Sequence, residues 1–266
     1  MKKIKIYQVD AFTDTLFSGN PAAVCMTDSW LDDDLMQSIA AENNLAETVF
    51  VVPVGQDFEI RWFTPAVEVD LCGHATLASA FVLFSELHYP SASIRFHSPR
   101  SGWLAVAKKD DLLFLDFPTD RLEALPEENT ALIEKCIGIK PIDSYSGKTD
   151  YLAVIDNESM LKELTPDFDE IAILKARGLI VTAKGDEADF VSRFFAPQIG
   201  IDEDPVTGSA HTTLLPLWSK ITGKTKMTAR QLSKRGGHLV CELQGDRCLI
   251  GGKARLFLSG EIFLDT

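Results

Sequence analysis

The sequence has little positive charge and no long apolar run, and these absences exclude several classes of protein. Its 266 residues include 26 Lys and Arg against 39 Asp and Glu, a formal net charge of −13, and no block of basic residues is longer than two. Electrostatic binding to nucleic acid or to an anionic membrane surface is therefore not expected. No stretch approaches the ~20 apolar residues of a transmembrane helix. The first ten residues alternate instead of running into the apolar segment of a signal peptide, so we expect a cytoplasmic protein.

Familiar metal, cofactor and hydrolase motifs are also missing. The five cysteines are odd in number, widely spread and without a Cys-x-x-Cys pair, which favours reduced thiols over a zinc site. There is no His-x-x-x-His pair, no glycine-rich dinucleotide or phosphate loop, and no Gly-x-Ser-x-Gly elbow. We therefore expect neither a metal nor a cofactor, and a serine hydrolase is disfavoured.

What the sequence does contain is an internal repeat. Its length allows one large domain or two of ordinary size. Arg61–Pro65 reads Arg-Trp-Phe-Thr-Pro, and Arg193–Pro197, 132 positions further on, reads Arg-Phe-Phe-Ala-Pro. Each block is followed by an acidic turn and by fifteen residues without Asp, Glu, Lys or Arg, which are Leu71–Ser85 and Pro205–Ser219.

Both uncharged runs predict helices that are buried on all sides. Residues 75–84 contain good helix formers, and the second run, residues 209–218, contains Pro216, which predicts a kink. Alternating or β-branched segments surround them, at residues 48–53, 58–63, 94–96, 103–107, 112–117, 151–155, 179–182, 190–195, 238–243, 248–250 and 254–257.

The predicted class is α+β, with two pseudo-symmetric domains that each wrap a curved, mostly antiparallel sheet around one buried helix. The boundaries expected are 1–117 and 118–258. Surface helices are predicted at Asp32–Asn43, Glu127–Cys136 and Pro166–Ala176 from their amphipathic pattern and their flanking Gly and Pro residues.

The two matching helix starts predict a site for an anion. If both central helices direct their N-termini at the junction of the domains, free N–H groups around Gly73-His74-Ala75 and Gly208-Ser209-Ala210 converge there. Such groups bind a carboxylate or a phosphate. Alternatively, the glycines only allow the chain to turn from strand to helix.

Four motifs, in order along nearly the whole chain, resemble the phenazine-biosynthesis PhzF-like family. They are Ser18–Val24 (Ser-Gly-Asn-Pro-Ala-Ala-Val), Glu42–Thr48 (Glu-Asn-Asn-Leu-Ala-Glu-Thr), Phe63–Thr76 with its Cys-Gly-His-Ala segment, and Asp202–His211 with Glu-Asp-Pro-Val-Thr-Gly-Ser-Ala. The resemblance implies the diaminopimelate epimerase-like fold, a homodimer, and no cofactor or metal. It also implies that the last strand, about residues 259–266, returns to the first domain.

The resemblance also implies roles for particular residues. In the enzyme that gives the family its name, a glutamate moves a proton between ring carbons of trans-2,3-dihydro-3-hydroxyanthranilate, and that position is Glu47 here. His74, Asp204 and Ser209 match the residues that assist in binding and proton handling. The residues then expected to contact the substrate are Gly73, Ala75, Gly208, Ala210, Thr207, Asn20 and Cys72.

The residues themselves suit these roles but leave alternatives open. A carboxyl group that exchanges protons with carbon works best when partial burial raises its pKa, and Glu47 precedes an apolar strand; the alternative is a solvated surface glutamate. The helix dipole favours a neutral His74, which could instead serve only in packing. Asp204 could be a helix N-cap.

Cys72 raises the question of a two-thiol epimerase, the mechanism of cofactor-free racemases with this fold. When Gly73 is aligned with Gly208, Thr207 lies opposite Cys72, so the second thiol is missing. Cys72 alone is more simply a packed residue.

These inferences lead to one main hypothesis: a cofactor-independent isomerase that acts on a small carboxylate-bearing, possibly cyclic metabolite, with Glu47 as general acid and base in an interdomain cleft. A non-catalytic ligand-binding or interaction protein on the same fold is the alternative, and its sign would be a Glu47 carboxylate that faces bulk solvent or a cleft plugged by side chains. A cofactor-free lyase is a third hypothesis, because it would use the same glutamate.

Overall fold

The computed structural model describes Lys2 to Leu264, and the chain folds into two compact units. The first unit is formed by the chain up to Asp116 and again from Gly251, and the second by Phe117–Ile250. No helix within the described residues is both long enough and apolar enough to span a membrane.

The first unit is a sheet that surrounds one central helix. Its strands are β1 (Lys2–Ala11), β2 (Asn20–Met26), β3 (Glu47–Val54), β4 (Asp57–Phe63), β5 (Glu68–Val69), β6 (Ser93–Ser98), β7 (Gly102–Lys109) and β8 (Leu112–Pro118). Its helices are α1 (Asp33–Asn43) and α2 (Gly73–Phe81), and a π-helical turn at Val82–Glu86 extends α2. Every residue of α2 from His74 to Ala80 is buried, because strands β1, β2, β3 and β7 contact the helix.

The second unit contains eight strands and four α-helices. The strands are β9 (Glu123–Ala124), β10 (Asp143–Ser146), β11 (Asp150–Val154), β12 (Gly178–Lys184), β13 (Phe190–Phe195), β14 (Lys226–Gln231), β15 (Gly237–Gln244) and β16 (Arg247–Gly252). The helices are α3 (Glu127–Ile137), α4 (Glu158–Glu163), α5 (Phe168–Ala172) and α6 (Ala210–Thr222), with a 3-10 turn at Pro197–Ile199. A last strand, β17 (Ala254–Leu264), pairs antiparallel with β1 over the whole length of β1.

Strand pairing repeats from one unit to the other. In the first unit the order is β17-β1-β2-β3-β4-β6-β7, and in the second it is β9-β10-β11-β12-β13-β14-β15. In the first unit, β2 is parallel to β3 and β4 is parallel to β6; in the second, β11 is parallel to β12 and β13 to β14. All other neighbours in these two orders are antiparallel.

The repeated blocks also form matching ion pairs. The guanidinium of Arg61 donates to both carboxylate oxygens of Glu68 at 2.7 and 2.9 Å, and that of Arg193 donates to both oxygens of Glu203 at 2.7 and 3.0 Å. The equivalence of the two halves therefore extends from sequence to strand order and side-chain contacts.

The observed elements differ from the predicted ones in several places. The sequence analysis predicted no strand at five of the observed strands, which are β2, β5, β9, β10 and β14. The helix predicted at Pro166–Ala176 is wrong in extent, because α5 covers only Phe168–Ala172. Asp167 caps its start by accepting the N–H of Glu170 at 3.1 Å, and at its end the N–H of Leu174 donates to the carbonyl of Ile171 in a tighter turn. Helix α4 was not predicted from the sequence, although Asn157 caps it in the same way. The chain returns to the first unit at Gly251 and not near residue 259, since β17 is one continuous strand.

Candidate active site

Glu47 is the first residue of β3, and the turn before it fixes its position. Helix α1 ends at Asn43, and Asn44 adopts the left-handed conformation at φ 48° while its N–H donates to the carbonyl of Ala40. The amide of Asn43 also donates to the hydroxyl of Thr48 at 3.0 Å, which ties the turn to the strand. The side chain of Glu47 is 11% exposed. It does not face bulk solvent, so one of the two signs expected of a non-catalytic protein is absent.

His74 lies in the first turn of α2 and connects Glu47 with Asn20. Its Nε2 is 3.0 Å from Oε2 of Glu47, and its Nδ1 is 3.1 Å from Nδ2 of Asn20. An amide N–H donates, so a neutral His74 carries its proton on Nε2, toward Glu47. Asn20 reaches this position because Gly19 turns the chain at φ 69°, where a Cβ would lie 2.2 Å from the carbonyl oxygen of Ala11.

The contact with Glu47 opposes the neutral state that the helix dipole favours in His74. Burial lowers the pKa of His74, but the neighbouring Cys72 and Glu47 outweigh it and hold the pKa well above its usual value. Burial, with a further contribution from the Glu47 carboxylate, raises the pKa of the Cys72 thiol to about 11. The thiol is therefore protonated at neutral pH.

Cys72 contacts the face of the imidazole ring. Its Sγ lies 3.4 Å from Nδ1 and 4.0 Å from Nε2 of His74. If Sγ lay on the lone-pair axis of Nδ1, it would be much farther from Nε2 than it is. Sγ therefore lies over the face of the imidazole ring and not in line with either ring nitrogen. Atoms of Glu47, Cys72 and His74 lie within 4.8 Å of one another, a separation that a metal ion can bridge. Tetrahedral zinc needs converging ligand lone pairs, and the position of Sγ does not provide them.

In the second unit, Ser209 contacts Arg177, which in turn binds Asp150, and the sequence analysis singled out neither of these two residues. Nη2 of Arg177 donates to Oγ of Ser209 at 3.1 Å, and the same guanidinium binds both carboxylate oxygens of Asp150 at 2.8 and 2.5 Å. Burial lowers the pKa of Arg177, but the hydrogen bonds to Asp150 outweigh it and raise the pKa, so the guanidinium stays charged.

Asp204 is not the N-cap of α6, because that helix begins at Ala210. One of its carboxylate oxygens accepts a hydrogen bond from the hydroxyl of Thr207. The buried side chain of Gln231 holds the same loop, since its amide donates to the carbonyl of Asp204 at 2.8 Å and its oxygen accepts the N–H of Thr207 at 2.8 Å.

The two predicted groups of backbone N–H donors differ in geometry. Helix α2 begins at Gly73, so the N–H groups of Gly73 and His74 belong to its first turn. Helix α6 begins one residue after Ser209, and Gly208 accepts the N–H of His211 at 3.1 Å in the turn before it. Ala75 and Ala210 are buried. Contact of Gly73, Ala75, Gly208 and Ala210 with a substrate stays a prediction.

The chain was compared with known families, proteins and structures. A family model described as phenazine biosynthesis-like protein matches residues 9–260. The chain belongs to this family. It is 49% identical over 262 residues to an uncharacterized isomerase of Pseudomonas aeruginosa, which covers 98% of this chain and 100% of that relative. A crystal structure of a PhzF-family protein from Enterococcus faecalis matches 99% of this chain and 100% of its own at 46% identity, with a TM-score of 0.95.

A more distant structure extends the likeness of fold. A hydroxyproline epimerase from Agrobacterium vitis matches 99% of this phenazine biosynthesis-like chain and 93% of its own at 11% identity, with a TM-score of 0.60. The predicted family and the epimerase-like α+β fold are thus confirmed. The class of enzyme, an isomerase, is confirmed as well, while the substrate and the role of each side chain remain predictions.

Arg177, Asp150 and Gln231 are the polar residues near the candidate site that sequence reasoning missed. Strand pairing shows where Arg177 lies in the repeat. Glu47 pairs with Ala22 at the start of the parallel strands β2 and β3, and Gly178 pairs with Asp150 at the start of β11 and β12. Gly178 is thus the counterpart of Glu47, and Arg177 precedes it directly.

Proposed function

We propose that this protein moves a proton between carbon atoms of a small carboxylate-bearing metabolite without a cofactor, and that Glu47 carries the proton. One observation supports this most strongly. Oε2 of Glu47 is buried and lies 3.0 Å from Nε2 of His74, yet within the described part of the chain it forms no hydrogen bond of good geometry. A buried carboxylate oxygen that no well-aligned hydrogen bond occupies is suited to accept a proton from a substrate carbon.

His74 and Asn20 fit this proposal as supporting groups. Asn20 holds Nδ1, so that the other ring nitrogen faces the carboxylate and stabilises its charge between proton-transfer steps. Asp204, Ser209 and Thr207 of the second unit are proposed to assist in binding. The shared cleft, the cytoplasmic location and the homodimer that the sequence predicted are part of the same proposal.

Proton exchange with solvent provides the test. The protein is incubated in D2O with trans-2,3-dihydro-3-hydroxyanthranilate and with a panel of small cyclic carboxylates, and NMR follows deuterium incorporation and isomer formation. Glu47→Gln is expected to lower the rate by about 10²–10⁴-fold, because general acid–base catalysis contributes that much. Glu42→Gln is the matched control, since Glu42 lies in the same motif but is exposed.

Three results would change the interpretation. An unaltered rate in Glu47→Gln contradicts the role of Glu47. Loss of water or ammonia from a panel compound, without an isomer, indicates the lyase. Binding of a compound without exchange or turnover indicates the non-catalytic alternative.

A further inference from the structure

Each unit contains a group of three polar side chains near the start of its central helix. In the first unit the group is Asn20, Glu47 and His74, and in the second it is Asp150, Arg177 and Ser209. Each group joins the beginnings of two parallel strands to the first residues of the central helix. The first group is centred on a carboxylate and the second on a guanidinium.

Arg177 is held in one orientation from several directions. Its backbone N–H donates to the carbonyl of Thr149 at 2.7 Å, and its fork binds both oxygens of Asp150, which is 4% exposed. The guanidinium also lies over the ring of Phe194 at 5.4 Å. The ring of Phe194 can approach the guanidinium because the residue that follows Arg177 is Gly178. A Cβ at Gly178 would lie 2.4 Å from that ring.

The chemistry of the guanidinium determines what Ser209 can do. A guanidinium only donates hydrogen bonds, so Oγ of Ser209 is the acceptor in their contact at 3.1 Å. The hydroxyl hydrogen of Ser209 must then point in another direction. Among the described residues it has no acceptor, and although Ser209 is the N-cap of α6 its side chain forms no capping hydrogen bond.

We propose that Arg177 is a positioning residue that fixes the Ser209 hydroxyl as a hydrogen-bond donor to the carboxylate of the substrate. The inference deepens the proposed function and rests on it for the class of ligand. Arg177 has a second effect in the same place: Asp150, Asp204 and Asp120 all act electrostatically on the guanidinium, and its positive charge offsets carboxylates that would repel an anionic ligand.

A double-mutant cycle with sodium benzoate as the probe tests this inference. Calorimetry measures the dissociation constant of benzoate for the unaltered protein, Ser209→Ala, Arg177→Gln and the double variant. Each single change is expected to weaken binding about tenfold, the effect of losing one hydrogen bond to a charged group. Because Arg177 acts through Ser209, the double variant is expected to bind about as weakly as Ser209→Ala.

Two control variants separate positioning from folding. Arg193→Gln removes a comparable arginine–carboxylate pair in the same unit without touching Ser209, so it is expected to lower the melting temperature but not the affinity for benzoate. Asp150→Asn with Arg177→Gln removes the buried charge together with its partner, and it is expected to fold and still bind weakly.

Several results would overturn the inference. They are unchanged benzoate affinity in Arg177→Gln, fully additive effects in the double variant, an equal loss of affinity in Arg193→Gln, and no benzoate binding by the unaltered protein. Benzoate binding by the Arg177 and Ser209 variants involves no proton transfer. A failure of this inference is therefore distinguished from a failure of the proposed function, which proton exchange by Glu47→Gln tests separately.

Discussion

Replacement of His211 by asparagine should change how the stability of the protein depends on pH. His211 is fully buried in α6, and its Nδ1–H donates to the carbonyl of Thr207 at 2.9 Å, while Nε2 has no partner among the described residues. A second proton would therefore place a charge on a nitrogen without an acceptor. Burial lowers the pKa of His211 from 6.5 to about 4, although the bond to Thr207 acts in the opposite direction.

The sign and size of the effect follow from linkage. Because the pKa of His211 is lower in the folded state, the unfolded chain binds the extra proton first, so stability is complete above pH 6.5 and is lost as pH falls toward 4. Between pH 7.5 and pH 4.5 this one group lowers the free energy of unfolding by about 2.5 kcal/mol. Asparagine can keep the donor to Thr207 but cannot take up the proton.

Urea unfolding followed by tryptophan fluorescence measures this difference. His211→Asn is expected to be less stable than the unaltered protein at pH 7.5, because it leaves a cavity. That deficit should shrink by about 2.5 kcal/mol at pH 4.5, with the steepest change between pH 6 and 4.5. Parallel stability profiles of the two proteins across this range would refute the reasoning.

Two further predictions concern the thiols and the oligomeric state. All five cysteines are reduced and buried, and the pKa of Cys72 is raised to about 11. Mass spectrometry should therefore find no alkylation by iodoacetamide at pH 7.5 until the protein is unfolded. Rapid labelling of Cys72 in the native protein would contradict this prediction. The first unit exposes two phenylalanines, Phe17 and Phe257, whose ring centroids are 5.8 Å apart. Because exposed apolar groups of this kind mark contact surfaces, light scattering is expected to show a dimer that Phe17→Glu weakens. A monomer at all concentrations would contradict the predicted homodimer.

Much of the fold could be predicted because the repeat is visible without coordinates. The Arg-aromatic-Phe blocks and the uncharged runs after them indicated two similar halves, and the strand order is indeed the same in both. Short elements were harder to predict. Helix α5 has five residues, so its extent depends on the cap at Asp167 more than on periodicity.

The motifs pointed to residues that the structure brings together in the first unit. Glu47, His74 and Cys72 lie side by side, because β3 and α2 begin next to each other, while their roles stay predictions. Arg177 and Asp150 belong to no motif, and their contact depends on the register of β11 and β12, which composition does not determine. Gln231 lies 24 residues from Thr207, and a single amide at the end of a strand gives no pattern to detect.

The pairing of β17 with β1 has a consequence for the order in which the chain folds during synthesis. The second unit is one continuous stretch, Phe117–Ile250, so it can assemble as soon as that stretch has left the ribosome. Strand β1 pairs early with β2 but lacks its other neighbour until β17 appears, about 240 residues later. The half of the molecule that holds Glu47 is synthesised first and completed last, and a stalled or shortened chain would leave β1 as an open edge available for aggregation.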